Sequence, residues 1–370
     1  MKKKCLVISA INITEGGPLT IMLECIESAS IFFEGDWTIY ALVNNSTLIN
    51  NPKIKLISYS ESKKSWLRRL KTEWISFDEL SKKLQPDLWL SLHDITPSVT
   101  ARRQVVYCHN ASPFYKISLK EALFDPKFLL FNWFYIYLYK INIQRNYAVI
   151  VQQHWLRLQF KKIFNHNNII VAQPVQQEIN IELTYNTSSR VYESNKIIFI
   201  YPTLPRVFKN IEILFQAAQL LSSPIQDAIE IRITINGTEN KYSQQLFDEF
   251  KHLKCINFIG RQDRKSMAEH YEQANTVLFP SKLESWGLPI SEAKFFKKSI
   301  LVADLPYAHE ATGIYDLVSF INPNNANDWA LAITQIVQKE IVYTGANSPS
   351  PEKPYASNWH NLWQQLSNGL

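Results

Sequence analysis

Short apolar runs separated by longer amphipathic stretches recur from one end of this chain to the other. That rhythm limits the fold more than any other feature. In the first half the runs fall at residues 5–10, 38–43, 54–58, 88–92, 104–108 and 148–152, with helical stretches such as 19–32 and 65–84 between them. In the second half they fall at 196–201, 230–236, 255–259, 276–279 and 299–303, with helical patterns at 208–221, 242–252, 266–273, 288–296 and 327–338. Near-continuous apolar strands alternating with helices predict parallel sheets covered on both faces. The pattern runs through twice. A length of 370 residues also exceeds the roughly 250–300 that one core can serve. The expected fold class is therefore α/β, with two doubly wound domains.

The boundaries follow from composition. Residues 1–175 form the first expected domain. A polar linker rich in Gln, Asn, Ser and Thr covers 176–195, and residues 196–350 form the second domain. A breaker at 347–354 (NSPSPEKP) precedes a final segment, 351–370. There Trp359, Leu362, Trp363 and Leu366 stand at helical spacing, which predicts a helix that packs back on the first domain.

Charge divides unevenly. Residues 1–175 hold 22 Lys/Arg against 13 Asp/Glu, a net of +9, and the remainder holds 17 against 20. One half is thus suited to an anionic surface or ligand. Cys5, Cys25, Cys108 and Cys255 form no C-x-x-C pair and read as buried free thiols of a reducing compartment. The run after Met1-Lys2-Lys3-Lys4 is too short for a signal peptide and reads as a buried first strand. The longest apolar stretch, 128–139 (FLLFNWFYIYLY), falls short of the roughly 18 residues that cross a bilayer. No G-x-G-x-x-G follows a strand, which disfavours a dinucleotide-dependent dehydrogenase. No nucleic-acid motif is present, so no nucleic-acid partner is expected.

The chemistry concentrates in residues 279–293, FPSKLESWGLPISEA. A strand ends at Phe279, a loop bearing Glu284 and Gly287 follows, and Leu288-Pro289 opens a helix. Loop amides and a helix N-terminus suit an anionic diphosphate. Glu292 is expected in the first helical turn, where its carboxylate can accept hydrogen bonds from vicinal hydroxyls such as those of a ribose. Two glutamates eight apart mean little alone and would ordinarily be solvated. The whole string is far more specific.

Glu284, Gly287, Leu288, Pro289, Glu292 and Ala293 match E-x-x-G-L-P-x-x-E-A position by position. In this the chain resembles the family-4 retaining glycosyltransferases of the GT-B fold, bacterial surface-polysaccharide type. Pro280-Ser281 before the string and Ala308-His309-Glu310 after it also resemble the family. Gly16-Gly17-Pro18 resembles its N-terminal glycine-rich loop, and His109 the histidine that contacts the donor sugar. Lys209-Asn210 resembles part of its phosphate-binding segment. The usual Gly-Arg there is replaced by Tyr201-Pro202, and Arg206 is the expected substitute for the missing charge. The likeness is strong over residues 196–310 and mostly positional over 1–175.

The resemblance implies two Rossmann-like domains facing a cleft and a hexosyl transfer, with retention, from a nucleotide-diphosphate sugar. The implied catalytic residues are Glu284 and His109. Gly16, Gly17, Arg206, Lys209, Gly287, Leu288, Pro289 and Glu292 are the implied donor-binding residues. No D-x-D motif occurs, so no metal and no cofactor beyond the donor is expected.

Residues 62–77 (SKKSWLRRLKTEWISF) add a basic, aromatic stripe: Lys64, Trp66, Arg68, Arg69, Lys71 and Trp74. Such a stretch fits an interfacial helix on anionic lipid as well as a core-packing helix with a solvated face. The expected partners are a nucleotide sugar, a lipid-linked glycan acceptor and an anionic membrane. The expected location is the cytoplasmic side of the plasma membrane. Two alternatives stand beside this reading: a non-catalytic nucleotide- or glycan-binding module, and a transferase with a soluble acceptor.

Overall fold

The computed structural model describes residues 3–173 and 195–370. The expected linker lies outside the described residues except for its last position. The chain divides into two compact units. The first comprises Met1–Tyr115, Phe131–Val175 and Pro351–Leu370, and the second Lys116–Leu130 and Gln176–Ser350.

The first unit is built on β1 (Lys4–Ala10), β2 (Trp37–Val43), β3 (Ile54–Ser58), β4 (Leu88–Ser91), β5 (Arg103–Cys108), β6 (Ala148–Val151) and β7 (Ile169–Ala172). Their spatial order is β7-β6-β5-β4-β1-β2-β3, with the short strand Tyr355–Ala356 at the edge beside β7, and every pairing is parallel. Every residue of β4, β6 and β7 is buried, as a sheet covered on both faces requires. From β1 the chain winds outward through β2 and β3, then returns to place β4 on the other side of β1. The crossovers leave in opposite directions from β1 and β4, which opens a crevice at their C-terminal ends.

The second unit repeats the arrangement. β8 (Ile197–Tyr201), β9 (Ile229–Ile233), β10 (Ile256–Phe258), β11 (Thr276–Phe279), β12 (Ser299–Ala303) and the strand Val318–Ile321 form a parallel sheet. Its order is β10-β9-β8-β11-β12 and then Val318–Ile321. Its switch point lies between β8 and β11.

The helix Trp359–Ser367 buries Leu362, Trp363 and Leu366 in the core formed by Leu6, Ile8 and Ile26 of the first unit. All four cysteines are buried and outside any disulfide.

Several expectations need correction. Residues 116–130 group with the second unit, although they fall within the expected first domain 1–175. They include α4 (Leu119–Phe124), whose Phe124 ring packs 6.3 Å from Tyr242, and the start of α5 (Pro126–Lys140), whose Phe128 ring packs 5.2 Å from Phe208. Strands β7 and Val318–Ile321 add to those expected, because a run of four residues, broken by Ser319 in the second case, gives little signal in a sequence. The expected helix over 65–84 is three pieces: α2 (Trp66–Lys71), a π-turn at Thr72–Ser76 and α3 (Phe77–Leu84). Such turns insert a residue and re-aim side chains. This one carries the fully buried Glu73.

Candidate functional site

The switch point of the second unit holds two loops. The one after β8 carries Arg206, Lys209 and Asn210, and the one after β11 carries Glu284 and Gly287. They are knitted together by backbone and side chain. The Lys282 amide donates to the Phe208 carbonyl at 2.7 Å, and the Tyr201 hydroxyl donates to the Lys209 carbonyl at 2.7 Å. Asn210 takes the left-handed conformation, φ 55°, which Asn tolerates better than most residues. Its Nδ2 donates to the Pro280 carbonyl at 3.1 Å and the Pro323 carbonyl at 2.8 Å. The result is an ion pair, Lys209 Nζ to Glu284 Oε1 at 2.5 Å, with both side chains about six-sevenths buried.

Gly287 caps the helix Leu288–Phe295 with φ 90°. A Cβ there would stand 3.2 Å from Ile290 Cδ1 and 3.3 Å from the Phe279 ring, so both conformation and space call for glycine. Pro289 stands in the first turn and Leu288 is exposed. Glu292 is not in that turn, as the sequence suggested, but opens the next one, because the helix begins at Leu288. Its Oε2 accepts from the Tyr271 hydroxyl at 2.6 Å, and burial raises its pKa above the usual range. Arg206 is half exposed, stands three residues before Lys209 and lies 3.5 Å from Asp125.

The first unit has a matching pocket at its own switch point. Asn12, Thr14 and Glu15 from the loop after β1 line it with Lys63, Asp94 and His109. The sequence suggested a loop at Gly16 and Gly17; they are instead the first two residues of α1 (Gly16–Phe32), with Gly16 at φ 71°. His109 follows β5. Both its ring nitrogens are enclosed without a hydrogen-bond partner among the described residues, and the ring stacks on Tyr107 at 4.5 Å. Burial lowers its pKa, and the nearby Asp94 charge and Leu92 backbone oppose that shift. Among the described residues no group of His, Cys, Asp and Glu could hold a metal ion.

These loops, and above all the string from Glu284 to Glu292, resemble those of known proteins. Residues 183–350 match the model of "Glycosyl transferases group 1". Over those residues the chain resembles that family. The chain is 22% identical to the O-antigen chain mannosyltransferase RfbU of Salmonella typhimurium over 304 residues, which is 81% of this chain and 77% of that one. It is 26% identical to O-antigen chain mannosyltransferase B of Escherichia coli over 163 residues, 43% of this chain and 42% of that one. Its fold is similar to that of HepE from Anabaena, solved with UDP-glucose. The TM-score is 0.59 at 13% identity, over 98% of this chain and 95% of that one. The glycosyltransferase fold is therefore GT-B.

The basic stripe is only partly a surface. Lys64, Arg68 and Lys71 are exposed, but Lys64 pairs with Glu61 at 2.5 Å and Arg68 with the same carboxylate. Arg69 is not a surface residue. Its Nε donates to Glu73 at 2.7 Å and its Nη2 to the His93 carbonyl at 2.7 Å, so its charge is matched inside the unit. Trp74 is half buried. The exposed apolar groups are Trp66 and Leu67 on α2 and Trp133, Phe134 and Tyr137 on α5, with Leu67 at 81% and Trp133 at 72%. The Trp66 ring lies 6.3 Å from Phe131, so within the first unit α2 and α5 lie side by side. Among the described residues no helix is long and apolar enough to cross a membrane.

Sequence reasoning missed Asp94 and Tyr271. Asp94 gave a weak signal, a lone Asp just past a strand. Tyr271 gave none, because its partner is 21 residues away.

Burial holds His109 below its ordinary value of 6.5 and His93 well below it. Their neutral forms are the ones folded, so their contribution is complete above that value and is lost on acidification. The slope is about 1.4 kcal/mol per pH unit for each proton. Glu24 and Glu73, raised to about 7 by burial, slope the opposite way over the same range, so the test is a difference: between pH 7.5 and 5.5 the wild-type urea midpoint should fall relative to that of His109→Ala, by up to one proton's slope. An unchanged slope in that variant would contradict a buried neutral imidazole.

Proposed function

We propose that the protein is a retaining, metal-independent hexosyltransferase. It would move mannose from a nucleotide-diphosphate sugar to a hydroxyl of a lipid-linked glycan, as in O-antigen assembly. The observation that carries this reading is the Lys209–Glu284 pair at the second switch point, with Glu292 eight residues further on a glycine-capped helix. The names of the two mannosyltransferase relatives supply the sugar and the pathway class. The nucleotide in HepE supports the donor class.

In this reading Lys209, with the amides around Gly287 and Leu288, neutralises the departing diphosphate. In many enzymes preformed charge aimed at a leaving group lowers the barrier more than any other effect. Arg206 adds to that field. Glu292, held at one oxygen by Tyr271, accepts from the ribose with the other. Glu284 faces the sugar and is held by its ion pair with Lys209. His109, neutral and without an internal partner among the described residues, hydrogen-bonds a sugar hydroxyl, with Gly16 and Gly17 giving close backbone approach. The bond from the anomeric carbon to the phosphate oxygen breaks as the acceptor oxygen bonds the same face. The acceptor proton passes to the leaving phosphate oxygen.

The acceptor side is read from α2 and α5. Trp66, Leu67, Trp133, Phe134 and Tyr137 form an apolar face flanked by Lys64, Arg68 and Lys71. This combination suits the headgroup region of an anionic bilayer, and the proposed site is the inner leaflet of the plasma membrane. Since Glu61 offsets part of the charge, insertion should depend on the apolar groups more than on the lysines.

Two measurements test these readings. In a thermal-shift screen of GDP-mannose and UDP-sugars, at least one donor should stabilise the chain by about 2.7 kcal/mol at a hundredfold excess over its Kd. Glu292→Ala should weaken that donor by about tenfold or more, as loss of a hydrogen bond to a charged group predicts. No shift with any donor at millimolar concentration would contradict the function. Leu67→Glu with Trp133→Glu should lower binding to phosphatidylglycerol vesicles by at least about tenfold, given roughly 1.5–3 kcal/mol per buried large side chain. Undiminished binding would remove α2 and α5 from the membrane face.

A further inference from the structure

Nothing in the proposed chemistry uses Asp94, yet its carboxylate gathers four donors. Oδ1 accepts from the backbone amides of His109 at 2.6 Å and Asn110 at 3.0 Å, and at 3.2 Å shares the single Tyr139 hydroxyl proton with the Asn110 carbonyl. Oδ2 accepts from the Tyr135 hydroxyl at 3.1 Å. The Tyr139 hydroxyl also lies 2.8 Å from the Asn110 carbonyl. Asp94 adopts φ 71°, a conformation that costs a non-glycine residue about 1–2 kcal/mol. Surrounding contacts must hold it there. One of them is Arg69, whose Nη2 bonds the carbonyl of the preceding residue, His93. Arg69 is fixed in turn by Glu73 in the π-turn.

The arrangement grips the backbone of His109 and leaves its ring alone. Two consecutive amides on one carboxylate oxygen fix the peptide planes on either side of the strand end. The imidazole nitrogens take no hydrogen bond from Asp94, and both stay enclosed at the pocket with the Leu92 backbone nearby. α5 supplies both tyrosines, one turn apart, so the two clamps act on the same carboxylate.

We infer that Asp94, clamped by Tyr135 and Tyr139, is a positioning residue: it sets where the His109 imidazole stands relative to the donor sugar. The inference depends on the reading of His109 given above. Asn at this position loses the charge and one acceptor while adding an amide that faces donors. Phe at 135 or 139 removes one clamp and leaves the ring packing intact.

A double-mutant cycle on the full-length chain tests it, following nucleoside diphosphate release from GDP-mannose and a panel of UDP-sugars. Asp94→Asn should lower kcat by about 30-fold, and Tyr139→Phe and Tyr135→Phe by about threefold to tenfold, with donor KM changed by less than about threefold. In the His109→Ala background, Asp94→Asn should add less than about a twofold loss, because residues that act through one another are not additive. If Asp94→Asn costs the same factor with and without His109, the aspartate acts independently and the inference fails while the reading of His109 stands. If His109→Ala has no effect, or the wild-type chain turns over no donor, that reading fails and takes the inference with it. Should Asp94→Asn fail to fold, the two tyrosine variants decide. Unchanged kcat in both, with only a lowered unfolding midpoint, would assign the cluster to stability alone.

Discussion

In each unit a parallel sheet is buried on both faces, and the chain must therefore cross over the sheet between successive strands. Strand order reverses once per sheet, at β1/β4 and at β8/β11. At that point crossovers leave in opposite directions and cannot fill the space above the strand ends. Everything proposed for this chain stands on those two gaps. Lys209 and Glu284 follow the two strands at the second switch point, while Asn12, Thr14 and Asp94 follow the two at the first. His109 ends the next strand along. In each unit the polar and charged groups are therefore where the topology leaves room for a ligand.

At the second gap the Lys209–Glu284 pair sets the electrostatics. Two mostly buried charges of opposite sign cost desolvation that only close pairing offsets, and removing either partner leaves the other exposed to that cost. A diphosphate entering beside Lys209 would offer the ammonium a second anionic partner. Glu284 holds the ammonium in place until then. The neighbouring Asn210, in its left-handed turn, ties the two loops to one another. Loop positions here are thus fixed by hydrogen bonds across the switch point and not by packing alone.

Much of this was legible before any coordinates. Strands such as residues 276–279 and 299–303 are uninterrupted apolar runs, and no other structure buries such a run so easily. The string from Glu284 to Ala293 was legible through its resemblance to a six-position family motif and through Pro289 at the start of a helix; the turn on which Glu292 falls was not, because it depends on the helix beginning at Leu288. What was not legible depends on distant partners. Arg69 reads as one more cation in a basic stripe until Glu73, four residues on, and the His93 carbonyl claim it. The Glu four residues after an Arg was a usable hint. Asp94 gathers donors from the loop after β5 and from α5, 15 to 45 residues away, and no local pattern announces that. Residues 116–130 look like part of the first unit because sequence proximity is the only guide until Phe124 and Phe128 find their partners.

The central claim is sugar transfer with retained configuration, driven by charge at Lys209 and without a covalent intermediate. The most direct test is the anomeric proton of the product. With an α-linked nucleotide sugar and an accepted glycan, NMR of the first product formed should show the α-linkage, through its one-bond carbon–proton coupling. A β-linked first product would contradict retention and with it the roles assigned to Glu284 and the leaving diphosphate.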